Sequence, residues 1–163
     1  MEIARSLFET LKSLCRILGD ARVEYCLIGG LAVGILSKPR ATEDIDLLVL
    51  IDEERIPSLM SLLREHLNVI QEGHIMRFPQ ATIWRTVIGS PAGEEGDVVV
   101  VDFLTANTDV YREAVLNPIK LTVEEVTIAV ARPEHLIKMK KLSGRPQDLL
   151  DIASLTESLG SGP

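Results

Sequence analysis

Three aspartates occupy positions from which they could do chemistry. Asp44 and Asp46 flank Ile45 at the entrance to the apolar run 45–51, and Asp102 interrupts a second run, after four valines and before Phe103 and Leu104. Residues two apart in an extended strand point to the same side, about 6.6 Å apart at a rise of about 3.3 Å per residue, so Asp44 and Asp46 share a face. Carboxylates held this way repel each other, yet they suit a hard divalent cation, which takes oxygen ligands. The plainer alternative is a solvated strand entrance. A lone carboxylate within a buried strand is costly, so Asp102 requires a partner, either a structural Arg or Lys or a metal ion, unless it lies just beyond the buried part. If the two Asp-bearing strands are neighbours, about 4.8 Å apart, the three carboxylates can meet around two ions spaced about 3.5–4 Å.

Other residues have the right chemistry to hold a triphosphate. Gly29 and Gly30 close the run Tyr25-Cys26-Leu27-Ile28 and open a helix. Without Cβ atoms they let a ligand approach the backbone, and free helix N–H groups face an anion; the same dipeptide also serves as an ordinary turn. Arg40, Lys138, Lys141 and Arg145 are the candidate phosphate-binding cations. On a helix opened by Pro133, Lys138 and Lys141 are three apart and share a face, while Lys140 points elsewhere. The alternative for this stretch is a solvated face balanced by Asp148 and Asp151. Thr42 offers a hydroxyl to phosphate or simply ends a loop. His66, His74 and His135 lack paired metal-ligand spacing, and Phe78 and Trp84 are read as core or as stacking platforms.

The elements that must position these groups alternate between helix and strand. Ile3, Leu7, Leu11, Leu14 and Leu18 recur at helical spacing over 2–19, predicting an amphipathic helix packed on a sheet. Strand 25–28, the glycine turn and a short helix 31–36 follow, then the strand 45–51, buried on both faces. A helix over 53–67, β-like pieces over 69–88 and a mobile Gly/Pro/Glu loop over 90–96 lead to the strand 98–104. The remainder reads as a helix over 107–115, one or two strands over 121–131, a helix from Pro133 to about Leu142, and a helix over 148–159 that buries Leu149, Ile152, Leu155 and Leu159, with a frayed end over 160–163. This is an α/β (α+β) pattern: a mixed central sheet flanked by helices, in one domain over 1–163 with its core at about 23–131 and a C-terminal helical segment at about 133–159.

Composition narrows the setting. With 163 residues, 46% of them hydrophobic, the chain is long enough for a core without disulfides. Its formal net charge of -7 argues against a broad polyanion-binding surface. Cys15 and Cys26 lack metal or redox spacing and read as buried thiols. The N-terminus lacks a signal-peptide pattern, and no apolar run approaches the roughly 20 residues needed to span a bilayer, so a cytoplasmic location away from membranes is expected.

The order of these motifs resembles the DNA polymerase beta-type nucleotidyltransferase superfamily: Cys26-Leu-Ile-Gly-Gly-Leu-Ala-Val, then Arg40-Ala-Thr-Glu-Asp-Ile-Asp-Leu, then a lone Asp on a later strand. The Arg-x-Thr-x-Asp-Ile-Asp form, with the stretch Lys138-Met-Lys-Lys-Leu-Ser-Gly-Arg-Pro-Gln-Asp-Leu-Leu-Asp-Ile, more narrowly resembles AbiEii-like toxins and related minimal nucleotidyltransferases over residues 23–153. The resemblance implies a nucleotidyltransferase fold in which Gly29 and Gly30 form the phosphate turn and Asp44 and Asp46 ligate the metal on that phosphate. Asp102 is then the third carboxylate, helping to hold a second ion and accepting the proton of the attacking hydroxyl. Two Mg²⁺ ions and an NTP are the implied cofactor and substrate, with NMP moved to a tRNA end, a protein hydroxyl or a small molecule. The resemblance also implies a possible toxin role with an antitoxin partner. The rival expectation is a non-catalytic module of the same fold acting with a partner protein.

Overall fold

The computed structural model describes residues 2–91 and 97–161. Most of the loop expected over 90–96, and the last two residues of the expected C-terminal fray, lie outside these residues.

The chain begins with α1 (Glu2–Asp20), followed by β1 (Tyr25–Ile28), α2 (Gly29–Leu36) and β2 (Asp44–Val49). A 3₁₀ turn at Glu53–Arg55 leads into α3 (Ile56–His66) and the strands β3 (Val69–Arg77), β4 (Ala81–Gly89) and β5 (Val98–Ala106). Then come α4 (Asp109–Leu116), β6 (Ile119–Val123), β7 (Val126–Val130), α5 (Pro133–Ser143) and α6 (Pro146–Gly160). The expected mixed sheet is present. It has seven strands in the order β3-β4-β5-β2-β1-β7-β6, with β2 parallel to β5 and β1 parallel to β7. The two Asp-bearing strands are therefore neighbours at its centre.

The periodicities account for the two faces of the sheet. Leu7, Leu11, Leu14 and Leu18 of α1 are buried with Leu27, Leu47, Phe103 and Ile128, and Thr86 of β4 reaches Met60 of α3 on this same side. Leu47 alternates with Asp46, so α1 and α3 cover the face away from the carboxylates. On the other face α2 lies against β1 and β2, and α5 packs on α4 and α6. Pro133 sits in the first turn of α5, and Gly144, at a φ of +66°, ends that helix in the left-handed region.

One expected helix face is rotated. In α6 the buried residues are Asp148, Asp151 and Leu155, while Leu149, Leu150 and Leu159 are exposed. The expectation that Leu149 and Leu159 face the core is therefore corrected; cations on neighbouring elements hold the two aspartates inward instead. Among the described residues no helix is long and apolar enough to cross a membrane.

Candidate active site

The strand register builds the site. Ile28 of β1 pairs with Asp46 of β2, Asp46 with Asp102 of β5, and Asp102 with Arg85 of β4. Four strands thus place Ile28, Asp46, Asp102 and Arg85 in one row across one face. Asp44, two residues before Asp46, points to that same face. The next row, two residues further along β2 and β5, is Leu48, Leu104, Ile83 and Met76. A charged row therefore borders an apolar one. Both contribute to a cleft of about 590 Å³, roofed by Tyr111 of α4, Leu136, Met139 and Lys140 of α5, and Arg145.

Gly29 is required by what lies against it. It opens α2 at a φ of +72°, and a Cβ at this position would overlap the Asp46 carboxylate. Gly30 stands in the same relation to the Arg40 guanidinium. The expectation that the missing Cβ atoms leave space for a ligand is therefore refined: two side chains of this chain occupy that space. Arg40 reaches over Gly30 to the Asp151 carboxylate, Nε to Oδ1 3.2 Å, and neither it nor Thr42 lines the cleft. The Thr42 hydroxyl faces the carbonyl of Asp44 at 3.5 Å, consistent with its loop-ending alternative.

Asp102 has a partner that the sequence reading left unnamed. Arg85 donates to both of its carboxylate oxygens, Nε to Oδ1 at 2.9 Å and Nη2 to Oδ2 at 2.8 Å, a bidentate pair that keeps the guanidinium protonated. Among the described residues no His, Cys, Asp or Glu side chains form a group of three or more placed to hold a metal ion. The expected meeting of three carboxylates is therefore corrected in one respect. The backbone aligns them, but Asp102 is turned to Arg85.

Asp44 and Asp46 lack such partners; among the described residues no side chain donates a hydrogen bond to either carboxylate. Burial, then the charges of Asp102 and Asp44, push Asp46 up to about 7 against the opposing pull of Lys140 and Arg145. Burial and Asp102 likewise raise Asp44. An anion disfavoured by its surroundings is one that a cation would stabilise.

The C-terminal helices contribute different cations from those expected. Lys138 and Lys141 are exposed, and Lys140 is the buried one, reaching Asp151 at 2.7 Å and Asp148 at 3.4 Å. The expected orientation of this helix is corrected: Lys140 lies one turn after Leu136 and beside Met139 on the inward stripe. Arg145 lines the cleft as expected, and its Nε is 3.2 Å from Asp148. Burial opposes the Asp148 charge, but hydrogen bonds from the Arg145 side chain, Ser143 and the Arg145 backbone hold its carboxyl down to about 2.

The family profile described as "Nucleotidyltransferase of unknown function (DUF6036)" matches residues 5–158. The chain belongs to this nucleotidyltransferase family. Solved structures agree on the fold. An antigenic nucleotidyltransferase-like protein from Paracoccidioides brasiliensis is 21% identical, with 90% of this chain covering 73% of that one at a TM-score of 0.58. A Thermotoga maritima protein assigned as a nucleotidyltransferase is 14% identical, with 95% and 93% covered and a TM-score of 0.60. The antibiotic-resistance factor ANT(2″)-Ia is 15% identical, with 99% and 87% covered and a TM-score of 0.57; it has also been solved in complex with adenylyl-2″-tobramycin. No curated protein sequence matches the chain. The family supports NMP transfer in general terms; the narrower likeness to AbiEii-like toxins rests on the motifs alone.

Proposed function

We propose that this family member transfers an NMP from an NTP to a hydroxyl acceptor, with Asp44, Asp46 and Asp102 as its acidic residues. The in-register pairing of Asp46 with Asp102 beside the Gly29 turn is the observation that carries this reading. Divalent-metal chemistry fits the residues present: Asp44 and Asp46 are same-face carboxylates with no donor side chain of their own, and their charges are disfavoured until a cation arrives. These two residues would hold Mg²⁺, which supplies charge neutralisation to the triphosphate.

In the transfer itself, the acceptor oxygen forms a bond to the α-phosphorus, the α–β bridging bond breaks, and pyrophosphate leaves. The hydroxyl proton passes to an Asp102 carboxylate oxygen, at a lone pair left over beside the one that accepts from Arg85. The N-terminal N–H groups of α2, at Gly29 and Gly30, and the cations Arg145 and Lys140 face the side where the phosphates would lie. Lys138 and Lys141, pointing to solvent, are left out of this assignment. Arg40 acts indirectly, through Asp151. The acceptor class spans RNA ends, protein hydroxyls and small molecules; a toxin role alongside an antitoxin rests on the motif resemblance, and a cytoplasmic location on the sequence pattern of the N-terminus.

The Arg85–Asp102 pair favours a second reading, a non-catalytic module whose third carboxylate is permanently neutralised. Incubation with each α-labelled NTP, Mg²⁺ and cell extract separates the two. Transfer predicts labelled product from the wild type that Asp46→Asn abolishes, whereas NTP binding by calorimetry with no labelled product supports the module.

A further inference from the structure

We infer that the acceptor is a small, uncharged hydroxyl compound with an apolar body, seated on the row Leu104, Ile83 and Met76. This rests on the transfer reading above and names its substrate class. The glycine turn meets β2 at the Asp46 end, because β1 runs antiparallel to β2 and Ile28 pairs with Asp46. The apolar row lies two residues further along β2 and β5, on the opposite side of the carboxylates. Transfer of a phosphoryl-type group is in line, so the attacking hydroxyl stands opposite the departing pyrophosphate. With the phosphates at the glycine turn, the acceptor falls on the apolar side.

The charges of the cleft narrow the chemistry further. Six charged side chains line it, and they cancel. Asp102 is paired with Arg85, and Asp148 is held by Lys140 and Arg145. Asp46 is the one of the two proposed metal ligands that lines the cleft. Among the described residues that line the cleft no carboxylate remains for a polyamine, and the apolar row carries no cation for a phosphodiester chain. What remains is an apolar surface continued by Phe78, which is 51% exposed, and faced by Tyr111 and Leu136, in a cleft whose roughly 590 Å³ falls within the usual small-ligand range of about 300–1,000 Å³.

Methionine methyl NMR on the whole chain tests this directly, since Met76 and Met139 line the cleft while Met60 is buried on the inner side of α3, against the opposite face of the sheet. Titration with 2-naphthol should shift the Met76 and Met139 methyls and leave Met60 in place. ATP with Mg²⁺ should not displace the naphthol, and the polyamine tobramycin should produce no matching shifts. Phe78→Ala, at an exposed position, should weaken naphthol binding by roughly three- to tenfold, the scale of one lost aromatic contact. Silence at Met76 and Met139, tighter binding of tobramycin, or displacement of naphthol by ATP would each overturn the inference. Calorimetry of ATP with Mg²⁺ on the same sample keeps the two readings apart. If ATP binds and naphthol does not, the acceptor class is wrong; if ATP does not bind, the transfer reading fails first.

Discussion

The centre of the sheet and the α5–α6 corner both gather carboxylates, and the two regions treat them in opposite ways. At the corner, Asp148 and Asp151 are buried among Lys140, Arg145 and Arg40, with Gln147 adding a hydrogen bond to Asp151 at 3.1 Å. The charges are balanced within the chain, and Asp148 titrates well below the ordinary carboxylate range. On β2, Asp44 and Asp46 are held side by side with no donor side chain, and both titrate above it. Balanced carboxylates build structure; unbalanced ones leave a vacancy of charge that a ligand can fill. Asp102 stands between the two cases, aligned with Asp46 by the backbone and balanced by Arg85.

The largest expected effect comes from breaking the balanced corner. Lys140→Ala removes the cation that two buried carboxylates share, leaving Asp148 to Arg145 and Asp151 to Arg40 and Gln147, and should cost about 1.5–3 kcal/mol in urea unfolding, the scale of a hydrogen bond between charged groups. A loss below about 1 kcal/mol would mean that water already shares this corner. Gly29→Ala comes next, at about 1–2 kcal/mol for the left-handed backbone, with displacement of Asp46 in addition; Gly30→Ala should cost less, since it meets only the movable end of Arg40. A Gly29→Ala loss no larger than this backbone cost would show that Asp46 is free to swing away.

The titration limbs sharpen the contrast. Asp46 has a folded pKa of about 7, raised from 3.8, so the folded state holds its proton more tightly than the unfolded chain does. Stability of the metal-free protein should therefore decline as pH rises from about 4 to about 7. Asp46→Asn should flatten that limb and be more stable at neutral pH, by on the order of 1–3 kcal/mol, while losing transfer activity. Asp148, lowered to about 2, has the opposite sign: its contribution is complete above about pH 4 and is lost as pH falls toward 2. Denaturation curves for wild type and Asp46→Asn at several pH values read both limbs, and an unchanged slope in the variant would show that Asp46 has a structural partner. The smallest effects belong to Lys138→Ala and Lys141→Ala, each within about 0.5 kcal/mol and without influence on NTP binding.

Much of this arrangement could be read in the sequence, because it depends on local rules. Strand 25–28 follows from a short apolar run closed by two glycines, the shared face of Asp44 and Asp46 from period two, and the two long apolar runs from burial on both faces; that the two runs are neighbours comes from the sheet order. What escaped depends on long-range register or on how a helix is rotated. Only the antiparallel pairing of β4 with β5 sets Arg85 opposite Asp102, and no short-range signal marks it. The helix-face error at Lys140 had a visible cue: Leu136 and Lys140 are four apart, so this lysine lies on the apolar stripe with Met139. The same cue was present in α6, where Asp148, Asp151 and Leu155 share spacing, but an apolar-first reading assigned the inward face to the leucines.

The Arg40–Asp151 contact also bears on how the molecule is made. Proteins are built from the N-terminus, at about 5–20 residues per second. The glycine turn, Arg40 and Asp44 and Asp46 emerge before the strands β3 to β7, whereas the anion that steadies Arg40 belongs to α6, which follows them. β1 likewise waits for β7, whose Val130 lies beside Leu27. A nascent chain on the ribosome therefore displays Arg40 and the two β2 aspartates before it can hold them in place, and α6 steadies Arg40 only after every strand of the sheet has been made.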